Sequence, residues 1–237
     1  VRRGYVALLR GLRLLLRVTG LLGLLDRAAR RWPTALWVRS WFAVYDLDDL
    51  VALDLPWWTF EAVEAVEAFL RGRPGATVFE WGSGASTVWL GRRSGTVHSV
   101  EHDADWATRM TPVLPPGAHL RLAPAVRVDG RATFGSAKPG FDHLDFTDYV
   151  AAIDDVPGLL DLIIIDGRAR EHCLERAVHR LSPGGLIVLD NVERARYREA
   201  LARRDDVDVR WTRGRTPTLP YPTRTALVSR REAQVAS

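Results

Sequence analysis

Apolar and polar positions along the chain alternate between two rhythms. Short apolar runs at 76–81, 96–101, 118–123, 161–166 and 185–190 have the length and composition of buried strands. Between them the spacing predicts helices near 86–93, 105–114, 146–153 and 171–181. Such alternation predicts an α/β fold, a Rossmann-like and mostly parallel sheet with helices on both faces. A helix from beyond Asn191 through Arg204, a run at 207–211 and a last run at 225–229 complete an expected seven strands. The stretch between the last two runs, 214–223, carries Pro217, Pro220 and Pro222 with Tyr221 and reads as a Pro-rich loop, either a wall of a substrate pocket or a rigid connection.

Ahead of the first strand, Thr59 suits a helix N-cap. Phe60, Val63, Val66, Phe69 and Leu70 then recur at helical spacing until Gly72 and Pro74-Gly75 stop the run. Residues 1–56 read as a helical extension or cap, and 57–237 as the main domain. Within the extension, 5–25 is rich in leucine, but Arg10, Arg13 and Arg17 interrupt it too often for a membrane span. The spacing suits a basic amphipathic helix that docks on the protein's own body or a sister subunit in a homodimer, with peripheral membrane contact as the alternative.

Composition changes this picture little. The chain has 237 residues, enough to bury one substantial core. Its one cysteine, Cys173, excludes an internal disulfide and fits a reducing cytoplasm. The net charge of +4 is spread along the chain rather than gathered in a block, so it gives a nucleic-acid partner only weak support.

Chemistry concentrates at the ends of the expected strands. The first delivers Glu80 to a turn, Trp81-Gly82-Ser83-Gly84-Ala85, in which two glycines permit tight bending and close backbone approach before Ser86 and Thr87 open a helix. The next strand ends in Glu101, about twenty residues on, where a carboxylate can accept from both hydroxyls of a ribose. A dinucleotide site would want a third glycine where Thr87 stands and no acid beside a pyrophosphate. That argues against a nicotinamide-dependent oxidoreductase and for a cationic amino-acid tail, as in S-adenosylmethionine. The motifs Phe79-Glu80-Trp81-Gly82-Ser83-Gly84-Ala85-Ser86-Thr87 and Val100-Glu101-His102-Asp103 resemble the first two motifs of class I S-adenosylmethionine-dependent methyltransferases, over roughly residues 57–229.

The resemblance implies that Glu80, Gly82, Ser83, Gly84, Ser86 and Thr87 hold the methionine part, and that Glu101, with His102 beside it, holds the ribose. It also implies cofactor contacts from Trp58 and Thr59, in a segment similar to one that borders the cofactor in the family. Asp145 and Phe146 either reach the adenine or, in the case of Asp145, cap a helix.

The fourth and fifth strands end in Asp166-Gly167-Arg168 and Asp190-Asn191. Two carboxylates and a carboxamide make an oxygen-only set suited to Mg2+. The arrangement resembles the metal triad of catechol-type and some sugar O-methyltransferases, which implies a metal on Asp166, Asp190 and Asn191; the other reading makes Asp166 a cofactor or loop contact and Asp190 a helix cap. In these strand ends the chain also resembles uncharacterised bacterial methyltransferases. Where those relatives carry a Lys or His base, this chain has Ala169; Arg168 and Arg170 flank it and, always charged, suit a clamp on an acceptor carboxylate or phosphate. His102, His143 and His172 are the remaining candidate bases. The segment 124–141, with Lys138, reads as a lid. The expected function is O-methylation of a small molecule or sugar, with an RNA methyltransferase or a non-catalytic binding module as alternatives.

Overall fold

The computed structural model describes residues 2–44 and 46–231. Val1, Tyr45 and residues 232–237, which include the outer ends of both expected regions, lie outside the described residues.

Four helices come first: α1 (Arg2–Val18), α2 (Leu21–Ala29), α3 (Pro33–Trp41) and α4 (Leu47–Leu53). The expected single helix over 5–25 is therefore two, broken at Gly20, whose φ of 76° lies in the left-handed region. The main body then runs α5 (Phe60–Arg71), β1 (Thr77–Trp81), α6 (Ala85–Gly91), β2 (Thr96–Glu101), α7 (Ala104–Met110), β3 (Ala118–Leu122), β4 (Val126–Arg127), β5 (Leu144–Asp145), α8 (Thr147–Ala151), β6 (Leu160–Ile165), α9 (Arg170–Arg180), β7 (Leu181–Asp190), α10 (Ala195–Ala202), β8 (Val207–Thr216) and β9 (Leu219–Arg230). Thr59 caps α5 as expected, its hydroxyl accepting from the Ala62 amide.

Seven strands form one sheet in the order β3-β2-β1-β6-β7-β9-β8, while β4 and β5 make a separate two-stranded pair. All neighbours are parallel except those of β9, which runs antiparallel to β7 and β8. The order reverses between β1 and β6, so their carboxyl ends border the crevice where such sheets bind ligands.

Alternating residues build the two buried faces. Phe79, Trp81, Ile163, Ile165, Ile187 and Leu189 belong to one cluster with α8 and α9. Val78, Leu162, Ile164 and Val188 belong to the other with α5 and α6. This period of two decides where the acids go. Glu80 pairs with Ile164, and Ile164 with Val188, so Glu80, Asp166 and Asp190 all project on the α5–α6 side, at or just beyond the carboxyl edge.

The expected loop over 214–223 is instead the tip of a long hairpin. Thr216 pairs with Leu219, leaving Pro217 and Thr218 as the turn, with Thr218 at φ 67°. Pro220 and Pro222 are tolerated because β7 pairs with β9 only from Thr225 onward, so the proline stretch has one neighbour strand. The hairpin tip anchors the N-terminal helices. Trp37 Nε1 donates to the carbonyls of Thr216 and Leu219, and the Thr218 amide donates to Ser40 Oγ.

Candidate cofactor crevice and carboxylate row

The glycine turn follows from its neighbours as much as from its own flexibility. Gly82 has φ 97°, and a Cβ there would lie 2.7 Å from the Gly167 Cα and 2.8 Å from its nitrogen. Gly167 is confined in turn, since a Cβ on it would collide with the Tyr149 hydroxyl at 1.8 Å. Two strand-end turns thus meet through glycines, with Tyr149 closing the stack. Trp106 Nε1 donates to the Ser83 carbonyl and pins the turn from α7.

Glu80 is fully buried beneath this turn rather than open to a ligand. Its oxygens accept from the hydroxyls of Ser86 at 2.5 Å, Thr87 at 2.5 Å and Ser99 at 2.8 Å. Glu80, expected to meet the methionine part of a cofactor, here shapes the turn, with Ser86 and Thr87 as its partners. Burial pushes its pKa up to about 7, with the Asp166 charge adding to the rise and the three hydroxyls opposing it.

Glu101 ends β2 and closes the other side of the turn. One oxygen accepts from the Ser83 amide at 3.2 Å and hydroxyl at 3.1 Å, the other from the amides of His102 at 2.7 Å and Asp103 at 2.9 Å. Although burial works the other way, His102 and these amides hold its pKa below the usual carboxylate value. The carboxylate is thereby kept ionised at the end of β2, with the Ser83 hydroxyl among its donors.

An aromatic wall stands beside it. The His102 ring centroid is 6.0 Å from Phe141, 5.7 Å from Phe146 and 5.9 Å from Tyr149. Phe141 belongs to the expected lid, which folds back over His102 and places the Lys138 ammonium 4.6 Å and the Arg168 guanidinium 5.2 Å from its ring. Phe146 is buried against His102, and Asp145 serves the loop. Its carboxylate accepts from the amides of Thr133, Phe134 and Thr147 and from the Thr147 hydroxyl, stapling the loop to the start of α8, whose N-cap position is Phe146.

On the far side of the turn, Asp166 and Asp190 form the carboxylate row. Asp190 is buried, with Oδ1 accepting from Thr225 Oγ1 at 2.6 Å and Oδ2 from the Asn191 amide group. Burial pushes its pKa up to about 8 and the neighbouring Asp166 charge pushes the same way, against Arg170. Burial also raises Asp166, although Arg170 Nη2 donates to its Oδ1 at 2.8 Å. Arg170, itself buried, further donates to the carbonyls of Asp166, Gly167 and Asp190 and ties both strand ends together. Thr59 lies beneath this row. Its amide donates to Thr225 Oγ1 and its hydroxyl pairs with Thr212 at 2.6 Å. Thr59, expected to border a cofactor, is thus a support for Thr225. Trp58 is core, edge-on to Trp89 at 6.1 Å, with its indole nitrogen turned toward Asp166.

As arranged, these residues do not fit a divalent metal. Three of the four carboxylate oxygens in the row already accept from Arg170, Thr225 and Asn191, and Asn191 presents a donor, not its oxygen, to Asp190. A permanent cation already stands where the ion's charge would be. The side chains of the expected metal set, Asp166, Asp190 and Asn191, are thus engaged with one another and with Arg170 and Thr225.

Several buried polar atoms at this edge lack complete hydrogen bonds: Trp58 Nε1, the Tyr149 hydroxyl, Arg168 Nε, and His102 Nδ1, which lies 2.6 Å from Glu101 but out of line. Incompletely paired buried groups are few in folded proteins and cluster where a ligand completes them. Ala169, in the place expected for a base, is a buried left-handed residue (φ 48°) opening α9, so that position is backbone architecture. His143 and His172 are absent from the lining of the cavity at Asp166 and Asp190. Sequence reasoning missed Ser99, Tyr149, Thr225 and Thr212. Only the inward phase of Thr225 in its strand hinted at a role.

No family model matches the chain, and no curated protein does. Solved structures do. An O-methyltransferase from Bacillus cereus in complex with S-adenosylhomocysteine is 18% identical, with a TM-score of 0.57 over 78% of this chain and 90% of that one. The O-methyltransferase TomG from Streptomyces achromogenes, in complex with S-adenosylmethionine, is 17% identical, with a TM-score of 0.53 over 73% of this chain and 80% of that one. The cofactor-bound Mycobacterium tuberculosis protein Rv0187 is 18% identical, with a TM-score of 0.55 over 81% and 90%.

This chain has the class I methyltransferase fold. In that fold the glycine turn after β1, Glu101 after β2 and the β6 and β7 ends occupy one contiguous edge. Among the described residues no helix is long and apolar enough to cross a membrane.

Proposed function

We propose that the chain is an S-adenosylmethionine-dependent methyltransferase that methylates a hydroxyl group of a small polar or sugar-like acceptor without a metal. The observation that carries this reading is the joining of the Gly82 turn and ionised Glu101 to a row of acids, Glu80, Asp166 and Asp190, on one face of the sheet edge. Burial, with the Asp166 charge adding to it, raises Glu80 and Asp190, and a cation brought against the row would favour their ionised forms. S-adenosylmethionine would supply an electrophilic methyl carbon on a sulfonium. Glu101 and the aromatic wall would hold its nucleoside, and the turn would hold its methionine end.

The acceptor would enter a cavity of about 660 Å3 beside the row, lined by Trp57, Tyr221, Asp190, Asn191, Arg194 and Thr218 among others. Aromatic faces with hydroxyl and charged groups suit a polyhydroxylated or aromatic small molecule. Asp190 would take the acceptor proton: a carboxylate with a pKa near 8 is a far stronger base than an ordinary one. Thr225 and Asn191 fix its orientation. Arg170 holds the Asp166 end, and Arg168 stands on the nucleoside side.

The reading is tested by incubating the protein with methyl-labelled S-adenosylmethionine and a panel of sugars and phenols in chelator. Label transfer to a hydroxyl, lost in Asp190→Asn, is expected. Transfer only to nitrogen or carbon acceptors would contradict the oxygen assignment.

A further inference from the structure

The two N-terminal helices carry more apolar surface than the fold covers. On α1, Leu9 is buried and Val6 and Leu16 pack with it against Phe42 and Val44. Arg13 lies on this inner stripe and reaches Asp46 at 2.6 Å and Asp49 at 3.1 Å. The remaining leucines face solvent: Leu8 is 69% exposed, Leu12 41%, Leu14 63% and Leu15 58%, with Val18 at 79%. At 100° per residue these five, with Ala7 and Gly11 between them, span an arc of about 160° free of any charge. Leu21, Leu24 and Trp32 continue the exposed surface onto and past α2.

The charges beside this surface are of one sign. Arg10, Arg17, Arg27, Arg30 and Arg31 are exposed, and the last four make no ion pair among the described residues. Asp26, the one acid in 2–32, is bound by Arg39 at 2.5 Å. A second copy seated by a two-fold axis on this face would set arginines against arginines with no acid to meet them. The body of the protein covers the opposite stripe. An anionic bilayer satisfies both features, taking the leucines into the interfacial layer while the arginines reach lipid phosphates.

We propose that α1 and α2 form a docking surface for an anionic lipid bilayer, lying in the interface rather than crossing it. Val6, on the inner stripe of α1, also lines the cavity at Asp166 and Asp190, so one helix joins the docking surface to the pocket.

The test is flotation of the full chain with vesicles of phosphatidylcholine alone and of equal parts phosphatidylcholine and phosphatidylglycerol, beside sedimentation of the free protein. Binding to the anionic vesicles only is expected. Leu8→Glu combined with Leu15→Glu should reduce it at least about tenfold, with S-adenosylhomocysteine affinity unchanged as the check on folding. Absence of binding, equal binding by the double variant, or a dimer that the same variant dissociates would overturn the proposal. Vesicle binding is read without methyl transfer, so this inference and the proposed activity fail separately.

Discussion

The Cα of Gly167 stands 2.7 Å from the point where a side chain on Gly82 would begin. The turn after β1 and the turn after β6 are in backbone contact, and neither can move without the other. Gly82→Ala meets both this clash and an unfavourable φ. It should destabilise the protein by about 1–3 kcal/mol and weaken S-adenosylhomocysteine binding at least tenfold. Thermal melts and calorimetry on the same preparation check this, and an unperturbed variant would show that the turns can separate.

Glu101 recognises a ribose in this account while also holding the turn through Ser83. Glu101→Ala should abolish measurable cofactor binding and leave the fold intact, with a small loss of melting temperature from the freed turn. Ser83→Ala, which removes a competing donor but keeps the amide contact, should change affinity by only about threefold. Unchanged affinity in Glu101→Ala would remove the ribose assignment.

Activity should follow the Asp190 proton. Because its pKa is raised to about 8, the carboxyl is mostly protonated at neutral pH, and kcat/KM should rise with pH through about 8 and then level. Asp190→Asn should lower kcat by about a hundredfold or more and abolish that rise. A profile flat across the same range would place the base elsewhere.

Stability of the free protein should run the other way. Glu80 and Asp190 have folded-state pKa values of about 7 and about 8, above their ordinary 4.5 and 3.8. Between each pair of values the folded state binds more protons than the unfolded one, so the stability they contribute is present in acid and is lost as pH rises through 7 and 8. Melting temperature measured at rising pH should therefore decline over that window, and Glu80→Gln should flatten the part ending near 7.

Metal should be dispensable. Arg170 and the donors on Asp190 meet the charge of the carboxylate row, so chelator should leave turnover unchanged and magnesium should restore nothing. Loss of activity in chelator, recovered on adding magnesium, would overturn this.

The sheet was legible in the sequence because buried parallel strands are apolar on both faces, and the runs ending in Glu80, Glu101, Asp166 and Asp190 stand out between helical spacings. The positions of the acids were legible for the same reason, since a strand ends where its apolar run does. What each acid touches was not. The partners of Glu80, Ser86, Thr87 and Ser99, are brought together only by the turn and the neighbouring strand. The partners of Asp190, Thr225 from β9 and Arg170 from α9, come together only in the fold. The hairpin over 214–223 was hidden because proline marks a loop unless the strand beside it is known to be missing.

The central claim is tested most directly by calorimetric titration of the purified protein with S-adenosylhomocysteine in chelator, with NAD as the control. The account expects micromolar binding of S-adenosylhomocysteine, lost in Glu101→Ala, and none of NAD. No binding, or preference for NAD, would contradict it.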